Sequence, residues 1–230
     1  MSVILQIETA TTSCSVALAI DGNVSAFKQI NERNIHAEVI TLFIEELVTA
    51  AGLIYDDLDA IAVSSGPGSY TGLRIGISTA KGLCFALNKP LIAIETLEAM
   101  AYGVLNNEEI VVDKNTLLCP MIDARRMEVY CALFKNEGVK VRPTAADIID
   151  EHSFAEFLSS HKILFFGDGA DKCEAILGTN PNAQFITGFV NSATYLTQKA
   201  AEKYSKQEFE DVAYFEPYYL KDFIAGKKAL

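Results

Sequence analysis

The chain is short of positive charge, of histidine and of long apolar runs, and each shortage excludes something. Nineteen Lys and Arg stand against 30 Asp and Glu in 230 residues, a formal net charge of −11. Nucleic-acid affinity is built largely from Lys and Arg neutralising phosphates, so a gripping role on RNA or DNA is expected to fall to other subunits; the other reading is that the charge serves solubility alone. Tight basic pairs occur only at Arg125-Arg126 and Lys227-Lys228. No apolar stretch reaches the ~18 residues of a membrane helix. Met1 to Ile20 carries no Lys or Arg and reads as alternating strand, not as a leader peptide. The five cysteines, Cys14, Cys84, Cys119, Cys131 and Cys173, include no CxxC and sit in apolar contexts, the pattern of buried free thiols in a reducing cytoplasm. With three histidines, no HExxH, no G-x-S-x-G elbow and no Gly-Lys-Ser/Thr, the common metalloprotease, hydrolase and P-loop signatures are missing.

What is present is apolar and ordered. Half the residues are hydrophobic and the mean hydropathy is +0.20, which excludes a disordered chain. Fourteen Gly and six Pro exclude a collagen-like or low-complexity one. Val3 to Ile7 and Ser13 to Ile20 read as strands, and Asp21-Gly22 before Val24 to Ile30 marks a hairpin. A helix is expected from Ile35 to Ala51, a buried strand from Leu58 to Val63, a helix from Gly72 to Leu87 and a strand from Leu91 to Ile94. Asn106-Asn107-Glu108-Glu109 is the best linker, dividing 1–108 from 109–230. Strands then recur near Leu117 to Ile122, Glu128 to Phe134 and Ile163 to Phe166, with a turn at Asn136-Glu137-Gly138 and helical patterns at Ala170 to Leu177 and Ser192 to Tyr204. A hairpin run followed by strand–helix alternation, seen twice, predicts two related α/β lobes.

The segment Val63-Ser64-Ser65-Gly66-Pro67-Gly68-Ser69-Tyr70-Thr71-Gly72-Leu73-Arg74-Ile75-Gly76 carries the most information. It is a strand end, a glycine loop and a helix start capped by Ser69 or Thr71. Backbone N–H groups in such a loop approach an anion at a helix N-terminus, or the loop is a tight structural turn; physics alone leaves both open.

Together with Ile4-Leu5-Gln6-Ile7-Glu8-Thr9-Ala10, Cys14-Ser15-Val16-Ala17, His36-Ala37-Glu38, Ile77-Ser78-Thr79-Ala80-Lys81-Gly82-Leu83, Ile122-Asp123-Ala124-Arg125-Arg126-Met127-Glu128-Val129-Tyr130 and Glu216-Pro217-Tyr218-Tyr219-Leu220, that segment resembles the TsaB (YeaZ) family, densely over residues 3 to 130 and thinly beyond. The resemblance implies a two-lobed actin-like ATPase / sugar kinase (ASKHA, RNase H-like) fold. It implies a non-catalytic subunit for threonylcarbamoyladenosine synthesis on tRNA, binding and activating TsaD. TsaE and the threonylcarbamoyl-adenylate synthase would be further partners, tRNA an indirect one, and a homodimer the form when TsaD is absent. No cofactor would be required, with room for a weak or shared ATP or ADP at a partner interface.

The residues support that demotion. His36 is followed at the H-x-x-x-H position by Ile40, so no helical metal pair forms, and neither a metal site nor a catalytic residue is expected. Where ATPases of this fold are expected to place Asp in the first strand turn, this chain has Glu8, followed by Thr9 and Ala10. Phe166-Gly167-Asp168-Gly169-Ala170 reads either as a worn adenosine-contacting loop or as a plain strand-to-helix turn. A nucleotide or phosphate would face Glu8, Thr9, Gly66, Gly68, Ser69, Gly72, Gly167 and Gly169. On that set rests the alternative function, a small-molecule kinase or ATPase.

The first expected helix has apolar positions spread over about 240° of its circumference, against the ~100° that one core face requires, so it must be covered twice. On the second, Gly72, Gly76 and Ala80 make one line of small residues and Ile75, Thr79, Gly82 and Ala86 another. Small residues permit close helix approach, either to the first helix alone or to TsaD. The partner interface is therefore expected at His36, Val39, Ile40, Phe43, Leu47, Leu73, Gly76, Ala80 and Leu83. Asp123 and Arg125 make a lobe-bridging ion pair or a partner contact.

Overall fold

The computed structural model describes residues 2–221; the Lys227-Lys228 pair lies outside them. The first lobe runs β1 (Val3–Glu8), β2 (Ser13–Ile20), β3 (Asn23–Asn31), α1 (His36–Ala50), β4 (Ala60–Ser64), α2 (Tyr70–Leu87), β5 (Leu91–Ile94) and α3 (Thr96–Leu105). The second runs β6 (Thr116–Asp123), β7 (Glu128–Phe134), β8 (Lys140–Ile148), α4 (Ala155–Leu158), β9 (Lys162–Phe166), α5 (Glu174–Leu177) and β10 (Ala183–Ile186); α6 (Thr197–Lys206) follows. The sheet orders are β3-β2-β1-β4-β5 and β10-β9-β6-β7-β8. In each, three strands pair antiparallel, a fourth adds in parallel to the first of them and a fifth in parallel to the fourth. One topology is thus used twice, as the repeated pattern predicts, and the architecture is the two-lobed actin-like α/β fold.

β1, β4 and β5 are buried throughout because helices cover both faces of their sheet, which is why they read as continuous apolar runs. Val3, Leu5 and Ile7 face the core under α1 and α2. Ile4, in alternation, packs against Ala99 of α3, Ala200 of α6 and the 3-10 turn Ala193–Leu196 before it. The halves 1–108 and 109–230 do not correspond cleanly to the two sheets. Residues from Ala193 onward return to the first one, where Glu210 bridges Leu91 and closes the β5 edge against stray pairing.

Four elements fall outside the sequence expectation: α3, β8, α4 and β10. α3 has little amphipathic signal because it is wedged between lobes; Leu97, Met100, Ala101 and Val104 pack into the second lobe's core and Ala99 into the first's. β8 is an edge strand holding Pro143, and at an edge the missing N–H costs the ladder little.

Candidate functional site

An open cleft of about 1070 Å³ separates the lobes, bounded by the β1–β2 turn, the β3–α1 loop, the start of α2, the β6–β7 turn and the chain near Tyr218. Gly68, Ser69 and Gly72 of the expected nucleotide-facing set line it. Gly167 lines a smaller neighbouring cavity of about 50 Å³ with Ser13 and Asn191. The structure places the others elsewhere. Glu8 and Thr9 are fully buried. A Cβ on Gly66 would meet the Tyr218 carbonyl oxygen at 2.7 Å, and one on Gly169 the Ile122 carbonyl carbon at 2.8 Å.

The glycines at the start of α2 are explained by their own chain. A Cβ on Gly68 would collide with the Ala10 backbone, on Gly72 with the Thr9 carbonyl oxygen, and on Gly76 with Thr9 Oγ1. The helix is pressed onto the β1–β2 turn, and the contact is fastened: Thr9 Oγ1 donates to the Gly72 carbonyl at 2.8 Å, and Ser69 N donates to the Ala10 carbonyl at 2.7 Å. Ser69 caps α2, its Oγ accepting from Gly72 N at 3.2 Å. The Ser69 and Gly72 N–H groups are thus engaged within the protein itself.

Glu8 lies on the sheet face away from α1 and α2, in a stripe of buried polar groups with Gln6, Ser13, Ser15, Ser64, Asn191 and Thr197. Its Oε1 accepts from Ala10 N at 2.5 Å. Gln6 Oε1 accepts from Thr197 Oγ1, and Ser15 Oγ from Ala193 N, both at 2.8 Å. Glu8 Oε2, Ser13 Oγ, Ser64 Oγ and Asn191 Nδ2 find no partner of hydrogen-bonding geometry among the described residues. Burial pushes the Glu8 carboxyl up to about 7, tempered by the Ala10 amide and the nearby Ser64 and Asn191 side chains.

His36 is buried and its Nε2 lies 3.0 Å from the Thr11 carbonyl oxygen, so it anchors the start of α1 to the β1–β2 turn. Burial pushes the Cys14 and Cys84 thiols up to about 12, which withholds the reactive thiolate. Among the described residues no three His, Cys, Asp or Glu groups are arranged to hold a metal, and no helix is long and apolar enough to cross a membrane.

The helix faces require a correction. Of the expected interface residues, His36, Ile40, Leu47, Leu73, Gly76 and Ala80 are buried inside this chain. Val39, Phe43 and Leu83 are half-buried against the same core. The line Gly72-Gly76-Ala80 is the internal one, because it meets the β1–β2 turn. Outward on α2 stand Ser78, Gly82, Phe85 and Ala86; Phe85 is 85% exposed, and a Cβ on Gly82 would meet nothing within 4 Å. On α1 the outward apolar side chain is Leu42, 53% exposed.

Asp123 and Arg125 do not bridge the lobes. Asp123 pairs with Lys172 of its own lobe and its Oδ1 accepts from Arg125 N at 2.8 Å. On the α2 wall of the cleft Tyr70 and Tyr219 have ring centroids 4.9 Å apart, and the Arg74 guanidinium lies 4.1 Å from the Tyr70 centroid. Sequence reasoning missed this aromatic group and Arg33. Tyr70, Arg74, Tyr218, Tyr219 and the Arg125-Arg126 pair stand in segments already singled out in the sequence, but nothing in the sequence brings them to one cleft.

Residues 30–228 match the family described as "TsaD: tRNA N6-adenosine threonylcarbamoyltransferase". The chain is 39% identical over 134 residues to the tRNA threonylcarbamoyladenosine biosynthesis protein TsaB of Escherichia coli, a match spanning 58% of this chain and 55% of that protein. It is 28% identical over 230 residues to the Bacillus subtilis protein of the same description, covering 95% and 93%. A Pseudomonas aeruginosa crystal structure, described as an uncharacterized protein with similarity to peptidase YeaZ, superposes with a TM-score of 0.83 at 26% identity, covering 96% of this chain and all of that one. With the duplicated lobes and the β1–β2 turn closed by α2, these matches place the chain in the TsaD-related family, within its TsaB (YeaZ) branch.

Proposed function

We propose that this chain is the non-catalytic subunit that binds and activates a TsaD-type transferase, for transfer of threonylcarbamoyl from its adenylate to the adenosine beside the tRNA anticodon. The observation that carries the reading is the outward face of α1 and α2, where Phe85, Leu42 and Gly82 leave apolar and small surface uncovered on a protein of net charge −11. Phe85 offers an aromatic side chain to a partner, and the small Gly82 on the same helix lets a second pair of helices approach closely. When the transferase is absent, two copies of this chain pair through the same face. TsaE and the threonylcarbamoyl-adenylate synthase complete the pathway in the cytoplasm, and no cofactor is required by this subunit.

The kinase alternative needs Glu8 and the glycine loop in the cleft. Glu8 is fully buried, and Gly68 and Gly72, although they line the cleft, are packed against Ala10 and Thr9, which supports the subunit reading. Phe85→Glu tests it by size-exclusion chromatography with the cognate transferase. The variant is expected to melt as the wild type does, since its side chain is outside the core, and to lose co-elution. Retained co-elution would move the interface to another surface.

A further inference from the structure

The cleft mouth carries charge of the opposite sign to the molecule. Arg33 projects from the β3–α1 loop of the first lobe, and Arg125 and Arg126 from the β6–β7 turn of the second; all three are exposed and line the same cleft. Among the described residues none of the three side chains has a hydrogen bond or ion pair. The acids nearby are engaged: Asp123 with Lys172, and Asp168 through an Oδ1 that accepts from Asp123 N at 3.0 Å. Lys221, also at the cleft, pairs with Glu128.

The turn itself does not account for its arginines. Arg125 (φ 74°) and Arg126 (φ 50°) both hold the left-handed backbone, a conformation that Gly or Asn adopts more readily than a long side chain. Two consecutive residues are thus kept in an unfavourable conformation with guanidinium groups that no acid among the described residues pairs, a combination that points outward to a ligand. Aromatic rings stand beside the arginines. Tyr130 follows the turn in β7, and Tyr70, Tyr218 and Tyr219 line the facing wall, with Tyr218 43% exposed.

Unpaired guanidinium groups with aromatic faces, along a groove, are how proteins hold single-stranded nucleic acid: phosphates on the cations, bases stacked on the rings. At about 1070 Å³ the open cleft exceeds the roughly 300–1,000 Å³ usual for small-molecule sites, so it has room for a segment of several nucleotides. We propose that this inter-lobe mouth binds a single-stranded nucleic-acid segment, with Arg33, Arg125 and Arg126 on its phosphates. That the strand is RNA rests on the function proposed above; the site itself rests on the cleft.

The test is fluorescence anisotropy of the full chain with a short labelled single-stranded RNA, titrated with KCl. Three phosphate contacts on a single strand give a slope of log K against log salt of about −2. Arg125→Asn/Arg126→Asn should bring the slope to about −0.7, lower affinity at low salt at least tenfold and leave the melting temperature unchanged or higher, because Asn tolerates the left-handed backbone. Undetectable binding at low salt, or binding undiminished in the double variant, overturns the proposal. So does competition by a poly-glutamate peptide or by ATP as effective as by unlabelled RNA, since either would assign the cleft to another ligand class. The double variant should still co-elute with the transferase, so failure here and failure of the subunit reading are separately visible.

Discussion

Glu8 shows how one buried carboxyl sets a pH dependence. Its proton affinity is raised from an ordinary 4.5 to about 7 by burial. Between those values the folded protein holds a proton that the unfolded chain has released, so stability falls as pH rises through the window. The full cost, about 3 kcal/mol, persists above pH 7 and vanishes below about pH 4.5. Glu8→Gln keeps an oxygen for the Ala10 amide and removes the titration. Urea unfolding should therefore show the variant level with the wild type near pH 4.5 and more stable by up to about 3 kcal/mol at pH 8. An equal difference at both pH values would mean that Glu8 ionises freely in the fold. The glutamate was legible in the sequence as a departure from the expected Asp. Its burial was not, because the polar groups that surround it come from β2, β4 and residues 191–197, far apart in the chain.

At the scale of elements, α2 carries two lines of small residues with opposite meanings. Gly76 sits against Thr9, whereas Gly82 faces open space. Gly76→Ala forces a methyl into packed structure and is expected to cost about 1–3 kcal/mol. Gly82→Ala replaces an exposed helical glycine and should gain about 1 kcal/mol. Thermal melts of the two variants should shift in opposite directions; a shift of the same sign would refute the assignment of faces. Periodicity located both helices to within about two residues, the usual latitude at helix ends. It could not say which line faced inward, since Gly, Ala and Thr look alike in a sequence and the deciding contact is with the β1–β2 turn, some sixty residues earlier. α3 escaped for a related reason: a helix buried from both sides shows no polar face to set its phase.

The whole molecule combines two lobes of one topology, an acidic exterior, a cleft with a basic mouth and an uncovered apolar helix face. Net charge alone suggested that nucleic acid would be gripped elsewhere; charge counted over a chain says little about one cleft, where three unpaired arginines outweigh acids that are already engaged. The repeat of the lobes was legible because each sheet opens with a hairpin. The return of residues 193–219 to the first sheet was not, because short 3-10 and helical turns carry weak periodicity. The central claim is that this chain acts through a surface, and reconstitution tests it most directly. The chain is combined with the cognate transferase, TsaE, threonylcarbamoyl-adenylate synthase, tRNA, ATP, threonine and bicarbonate, and the nucleosides are analysed by mass spectrometry. The account predicts modified adenosine only when this chain is present, retention of most of it with Glu8→Gln, and loss with Phe85→Glu. Full modification without the chain, or loss with Glu8→Gln alongside normal modification with Phe85→Glu, would contradict it.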